Sequence, residues 1–169
     1  MLKPPFPENE AERQALLDRS GLLTAGPVEI LDDIVRLASI ICRVPISAVS
    51  LIDRDRQFFK AKVGLDVDET PREVSFCGHA ILQEGPFIVP DAATDPRFAD
   101  NPLVTGPPHI RFYAGVPLNV DDCHALGTLC IIDSSPRNPD PAMLEALERL
   151  GRIVRLHLAE ALRREPGEP

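Results

Sequence analysis

The sequence predicts an α+β domain in which helices at both ends of the chain accompany an antiparallel sheet. Three observations carry this reading. Apolar residues recur at helical spacing near both ends, runs rich in β-branched residues fill the middle, and a long Pro-rich connection separates two groups of strands.

Taken in order, residues 1–8 are Pro-rich and are expected to form an irregular arm. A single domain is expected over 9–164, followed by a short tail over 165–169. The segment ENEAERQALLDR predicts a first helix with Ala11, Ala15 and Leu16 on one side and Gly21 as its stop. Pro27 opens a second helix over 28–41, whose expected core stripe is Ile30, Leu31, Ile34, Leu37, Ala38 and Ile41. The period then changes. PISAVSLID (45–53) reads as a strand and RDRQFFKAKVGL (54–65) as its returning partner.

The segment DVDETPREV is expected to be loop, leading into a short helix in SFCGHAILQ with Ser75 as N-cap. FIVP (87–90) predicts a short strand. From Asp91 to His109, Pro96, Pro102, Pro107 and Pro108 predict mostly loop with one helical turn. Connections this long inside a domain are usually functional, and Phe98, Leu103 and Val104 supply apolar anchors, so an ordered lid is expected. IRFYAGVPLNV (110–120) and HALGTLCIID (124–133) predict a hairpin. Asp140-Pro141 starts a last helix running to about Arg164, with Pro166 and Gly167 ending it. Its main stripe is Met143, Leu147, Leu150, Val154, Leu158 and Leu162, with Ile153 and Leu156 off it.

Composition narrows the function. At 169 residues, 44% hydrophobic and 26% charged, the chain has ordinary globular composition and enough length to bury a core. A net charge of −8, 5% aromatics and no Trp argue against nucleic-acid binding. No apolar run approaches the roughly 20 residues of a membrane span. The N-terminal segment also lacks the apolar stretch of a secretory signal, so a cytoplasmic location without membrane contact is expected. Four cysteines, at 42, 77, 123 and 130, form no CxxC pair, and no disulfide framework is expected. Neither GxGxxG after a strand nor GxxxxGK[ST] occurs, which excludes those phosphate cradles.

Several longer segments occur in a distinctive order: SFCGHAI (75–81), VPDAATDPRFADNPLV (89–104), IRFYAGVPL (110–118), LGTLCIID (126–133) and Pro136-Arg137. Upstream stand NEAERQALL (9–17) and VPISAVSLIDRDRQFFKAKVGL (44–65). Together they resemble one large branch of bacterial GAF domains, over roughly residues 8 to 164. The resemblance implies a central antiparallel sheet with the terminal helices on one face and a small-molecule pocket on the other. It also implies dimerisation through the terminal helices and an output module, either on a longer protein from which this domain is excised or as a separate signalling protein. In one respect the chain departs from the branch. Cys123 stands in the hairpin turn where Gly is usual, which suggests a different turn geometry and an exposed thiol.

The residues suggest where a ligand would bind. Asp95 before Pro96 suits an N-cap, and Arg97 could clamp a carboxylate or phosphate, or lock onto Asp91, Asp95 or Asp100. Asn101-Pro102 reads as a turn. Alternation places Arg111, Tyr113 and Gly115 on one strand face, offering a cation, a hydroxyl and room for close approach. Alternatively, Arg111 pairs with lid acids and Tyr113 is core. Cys77 and His79, two residues apart on a helix, do not converge on a metal, and His79 is expected to hydrogen-bond the lid. The candidate pocket and lid are therefore Cys77, His79, Asp91, Asp95, Arg97, Phe98, Asn101, Arg111, Tyr113 and Gly115.

No cofactor or metal is identified. The chromophore-attachment motifs of related photoreceptors are missing, and haem ligation by His79 or His109 is disfavoured. The expected activity is non-catalytic: sensing of an unidentified small molecule, relayed through dimerising terminal helices. Two alternatives are a ligand-free dimerisation module and, as in one group of the family, a reductase of free methionine sulfoxide. The thiols Cys77, Cys123 and Cys130 would serve the latter. The segments around them resemble the sensor branch instead, and burial in an apolar strand would leave Cys130 inert.

Overall fold

The computed structural model describes residues 1–164. Its elements run α1 (Glu10–Ser20), α2 (Glu29–Cys42), β1 (Ile46–Ile52), β2 (Arg56–Val63), β3 (Glu69–Pro71), α3 (Phe76–Ala80), β4 (Phe87–Val89), α4 (Pro102–Thr105), β5 (Phe112–Asn119), β6 (Ala125–Asp133) and α5 (Pro141–Arg163). The expected tail at 165–169, including the helix stop at Pro166 and Gly167, lies outside the described residues. Among the described residues, no helix is long and apolar enough to cross a membrane.

The strands form one antiparallel sheet in the order β3-β2-β1-β6-β5-β4. Both faces of its centre are covered. One face meets α1, α2 and α5 through a core that includes Leu17, Leu31, Ile34, Val49, Phe112, Leu129 and Val154. The other face carries a second apolar cluster, with Ala48, Phe76, Phe98, Tyr113, Cys130 and Ile132, under α3 and the 91–110 connection. Every residue of β1 and of β6 is accordingly buried. At Gly127 the two strands approach so closely that a Cβ would stand 1.7 Å from the Ser50 carbonyl oxygen.

Helix ends follow the local chemistry. Gly21, at φ +69°, ends α1 in the left-handed conformation, as its sequence position suggests. Asp140 caps α5 by accepting from the Met143 N–H, with Pro141 in the first turn. Ser75 likewise caps α3, accepting from the Gly78 N–H at 3.1 Å.

Three local expectations are corrected. The α2 core stripe is Leu31, Ile34, Val35, Ala38 and Cys42, whereas Ile30, Leu37 and Ile41 are exposed together with Ile40. The helix is apolar on two faces, and periodicity alone could not say which one meets the sheet. The segment expected as loop before α3 contains β3, whose three residues are too few to display alternation. The helical turn in the connection is α4, which begins at Pro102, with Asn101 accepting from the Leu103 N–H. Asn101-Pro102 thus opens a helix.

A buried ionic cluster pins α1 to the rest of the domain. The Arg13 side chain is 1% exposed, and its guanidinium donates twice to Glu10, at 2.8 and 2.9 Å. Arg72 reaches the same carboxylate at 2.5 Å and also donates to the Asp53 carbonyl. Burial alone would raise the Glu10 pKa, but these two guanidiniums outweigh it and hold the carboxyl at about 2. A depressed carboxyl contributes stability that is fully present above its unfolded value and is lost as pH falls through the folded one. For Glu10 that window runs from about 4.5 down to about 2, and it is worth at most about 3 kcal/mol.

Glu10→Gln is therefore expected to destabilise the domain by about 2–3 kcal/mol at pH 7, measured by urea unfolding. The deficit should shrink to about half at pH 3. An equal deficit at both pH values would show that the carboxylate charge is not what matters.

Candidate functional site

Under α3 and the Pro-rich connection, the face of the sheet opposite α1, α2 and α5 holds a cavity of about 260 Å³. Its floor is set by strand parity. Tyr113 on β5, and Cys130 and Ile132 on β6, point to this face, while their neighbours Phe112, Ala114 and Ile131 pack on the helices. Phe76 and Cys77 enter from α3, Gln57 and Phe59 from β2, and Leu103 and Ile110 from the connection. The opposite rim is the β2–β3 turn, with Leu65 and Val67.

Two polar features stand in this apolar lining. The first surrounds Cys77. Tyr113 donates its hydroxyl to the Cys77 sulfur at 3.1 Å, and Thr128 donates to it at 3.0 Å. Ser50 lies 3.0 Å from the Thr128 hydroxyl, completing a chain of buried donors. Burial pushes the Cys77 thiol up, but donors from Cys130, Ser50, Thr128 and Tyr113 outweigh it and bring the thiol below its ordinary value. Cys130, donating to the same sulfur within the pair, is pushed well above its own. The second feature is Gln57, 4% exposed. Its amide nitrogen donates to the Thr70 hydroxyl at 3.0 Å, while its Oε1 is buried without a partner. A bare buried acceptor is worth about 1–3 kcal/mol to whatever satisfies it.

Of the residues singled out from the sequence, Cys77 and Tyr113 line this cavity. Gly115 lies beside them, but the room it leaves is filled from within: a Cβ there would stand 2.3 Å from the Tyr113 hydroxyl oxygen. The remainder lie outside the lining. Phe98 is fully buried and stacks on Phe76 with ring centroids 4.0 Å apart. Arg97 pairs with Asp95 at 2.6 Å and lies over the Phe87 and Phe98 rings. Asp95 also accepts from the Arg97 backbone N–H, and Asp91 accepts from that of Ala93. Arg111 donates to the Val104 and Ile110 carbonyls, and Asn101 to the Val74 carbonyl. Most of these contacts close the connection on itself, Arg111 meeting carbonyls and not the lid acids, while Asn101 and Phe98 tie it to the residues around α3.

His79 lies beneath the N-terminal arm, 3.0 Å from the Leu2 carbonyl oxygen. The arm is held further by the Leu2 N–H donating to the Arg97 carbonyl and by Phe6 under the Arg72 guanidinium.

Sequence reasoning missed Gln57, Thr70 and the β2–β3 rim because β3 was invisible to it. Cys130 and Ile132 had a usable signal, since alternation from the hairpin register places them with Tyr113. None of the lining side chains is Lys, Arg or His, and Asp66 at the rim is acidic. The lining therefore suits a small neutral or cationic molecule with an apolar body and a hydrogen-bond donor for Gln57.

Comparison with known proteins agrees with this architecture. A family model described as GAF domain matches residues 26–158. The chain is 48% identical over 161 residues to a cyclic di-GMP phosphodiesterase of Pseudomonas aeruginosa, an alignment that covers 93% of this chain. It spans only 27% of that relative's length. Among solved structures, the GAF domain from an Acinetobacter phosphoenolpyruvate-protein phosphotransferase matches with a TM-score of 0.68 and 18% identity, over 96% of this chain and 100% of that one. The free methionine-R-sulfoxide reductase from Neisseria meningitidis, solved with its substrate, matches with a TM-score of 0.63 and 19% identity, over 96% and 97%. At these identities the two structures bear on the fold alone.

Tyr113→Phe removes one donor to the Cys77 sulfur. The Cys77 pKa is expected to rise by about one unit, read from the pH dependence of its alkylation by iodoacetamide with site-resolved mass spectrometry. A profile identical to that of the unaltered protein would rule out thiolate stabilisation by this hydroxyl.

Proposed function

The chain belongs to the GAF domain family, and from that premise we propose that it is a non-catalytic small-molecule sensor acting in bacterial cytoplasmic signal transduction. GAF domains are generally regulatory, and the Pseudomonas aeruginosa relative is named for signalling chemistry. The observation that carries the proposal is the apolar cavity of about 260 Å³ with the unpartnered Gln57 acceptor in its wall. An apolar ligand with one N–H or O–H donor fills the space and satisfies that acceptor. Among the described residues, the cavity lining offers no cation for phosphates. The substrate named for the relative is therefore not the ligand assigned to this cavity. The candidate residues outside the lining, Asp91, Asp95, Arg97, Phe98, Asn101 and Arg111, are assigned to holding the lid that roofs it, whereas His79, expected to hydrogen-bond the lid, meets the Leu2 carbonyl of the N-terminal arm instead.

Catalysis at Cys77 is the reading that the thiol environment would favour. Two features weigh against it. No lining cation is available for the carboxylate of a free amino acid, and the partner thiol Cys130 is held in its protonated form.

Output is assigned to the helical face. Ile30, Leu37, Ile40 and Ile41 on α2, and Ile153 and Leu156 on α5, are all exposed, Ile40 at 70% and Leu156 at 64%. The two helices pack together, and these outward-facing side chains are assigned to one apolar surface. Pairing of two copies through this set supplies the homodimer, and ligand binding biases it toward an output module or partner.

Native mass spectrometry of protein purified from a bacterial cytosol is expected to show a dimer carrying a retained small molecule. The Ile110→Trp variant, with its cavity filled, should lose the molecule and keep the dimer. Leu156→Glu should give monomers by sedimentation. A dimer without any retained mass would favour the ligand-free scaffold, and a monomer at all concentrations would remove the relay.

A further inference from the structure

We propose that the tip of the β5–β6 hairpin binds a divalent transition-metal ion of the zinc class through Asp121, Cys123 and His124. The site stands apart from the cavity and does not depend on its ligand. Its donors are of three different kinds, a carboxylate, a thiol and an imidazole, and their ligating atoms lie within 4.8 Å of one another. Thiolate and imidazole together select borderline and soft metals over calcium or magnesium, which take oxygen donors.

The spacing matches the chemistry. The Cys123 sulfur is 3.5 Å from His124 Nδ1. A tetrahedral ion with a metal–sulfur distance of about 2.3 Å and a metal–nitrogen distance of about 2.05 Å holds those two donors about 3.5 Å apart. Asp121 Oδ2 is 2.7 Å from Nδ1, joined by a hydrogen bond. An ion would take the place of that proton, and the pair would open by about 0.6–0.8 Å to reach coordination spacing. With three protein donors, a solvent-facing fourth position is left for water.

The donors are held in place by other contacts. Asp121 Oδ1 accepts from the backbone N–H groups of Cys123 and His124, at 2.9 and 2.8 Å, which fixes the turn and leaves Oδ2 for the ion. Asn9 donates to the Cys123 carbonyl at 2.7 Å, tying the tip to the start of α1. Glu12, on α1, lies 3.4 Å from His124 Nε2. A carboxylate on the far nitrogen of a ligating histidine orients the ring and raises its basicity. Glu12 is thus a positioning residue.

The carboxylates of Asp121 and of Glu12, the latter 3.4 Å from His124 Nε2, surround the site with negative charge that attracts a dication. Uptake of one ion releases the thiol proton, and the Nδ1 proton is released from a doubly protonated ring or passes to Nε2 in a neutral one, leaving thiolate and a neutral Nε2–H imidazole as ligands. The bound ion would clamp the hairpin tip against α1 through His124 and Glu12.

The test is titration of the intact protein with Co²⁺, followed by visible absorption, and then displacement by Zn²⁺. The expected result is one Co²⁺ per chain with tetrahedral ligand-field bands and a thiolate-to-cobalt charge-transfer band, bleached by one equivalent of Zn²⁺. Cys123→Ser should abolish the charge-transfer band, and both it and His124→Gln should weaken binding at least about tenfold. Glu12→Gln should keep the band while weakening binding about tenfold. Substitutions at this turn and at the exposed Glu12 should leave the circular dichroism spectrum unchanged. Absence of Co²⁺ and Zn²⁺ binding would overturn the proposal, as would binding of equal strength in Cys123→Ser and His124→Gln.

Discussion

Everything in this domain is arranged around a sheet whose central strands are buried on both faces. Antiparallel sheets often leave one face to water and then alternate polar with apolar residues. Here β1 and β6 are buried at every position, so parity decides something different: which of two cores a side chain enters. Val49, Leu51, Leu129 and Ile131 join the helical core, while Ala48, Ile52, Cys130 and Ile132 join the cavity side. The close approach at Gly127 keeps β1 and β6 in one register, and a one-residue slip would exchange both cores at once. The cavity floor is thus a consequence of strand pairing before it is a consequence of any ligand.

Polar groups buried near this sheet are held in closed sets. Glu10 serves two guanidiniums, one from its own helix and one from the turn before α3, so α1 cannot lift away without stranding Arg13 and Arg72. Gln14 extends the set by donating to Asp53 at 2.8 Å, and Asp53 also accepts from Arg56. Breaking such a set leaves an uncompensated charge, which is more destabilising than the intact set is stabilising. Among the described residues two buried side-chain polar atoms lack a partner, the Ser47 hydroxyl and Gln57 Oε1, and of the two only Gln57 lines the cavity.

The architecture was largely legible in the sequence, for reasons that differ by element. The β5–β6 hairpin and α5 carry long periodic patterns, and each was placed to within a few residues. The resemblance to GAF domains added the arrangement of helices and pocket on opposite faces, which no local pattern contains. α2 resisted because its surface is apolar on two sides, so its exposed set was assigned to the core. The candidate site was harder to read. Residues of the DPRFADNP segment look like ligand-binding groups because Arg and Asp bind ligands, yet their nearest partners are one another and the backbone. The cavity's polar contact comes instead from Gln57 and Thr70, an unremarkable pair in sequence until β3 brings them together.

The same two-sided burial bears on how a cavity event could reach the helices. Tyr113 touches Cys77 on one side of β5, while Phe112 and Ala114, its chain neighbours, pack into the helical core on the other. Gly151 of α5 sits so close to Val116 that a Cβ would stand 2.5 Å from its Cγ2. A strand pressed this tightly between two layers cannot shift toward one without changing its packing on the other, since interiors lack the free volume to absorb the movement. In the proposed relay, a ligand that prefers one position of β5 would therefore change the seat of α5 and, through it, the apolar set around Leu156. The size of that effect is bounded by the ligand's differential affinity for the two arrangements. A ligand that merely filled the cavity equally well in both would bind tightly and transmit nothing.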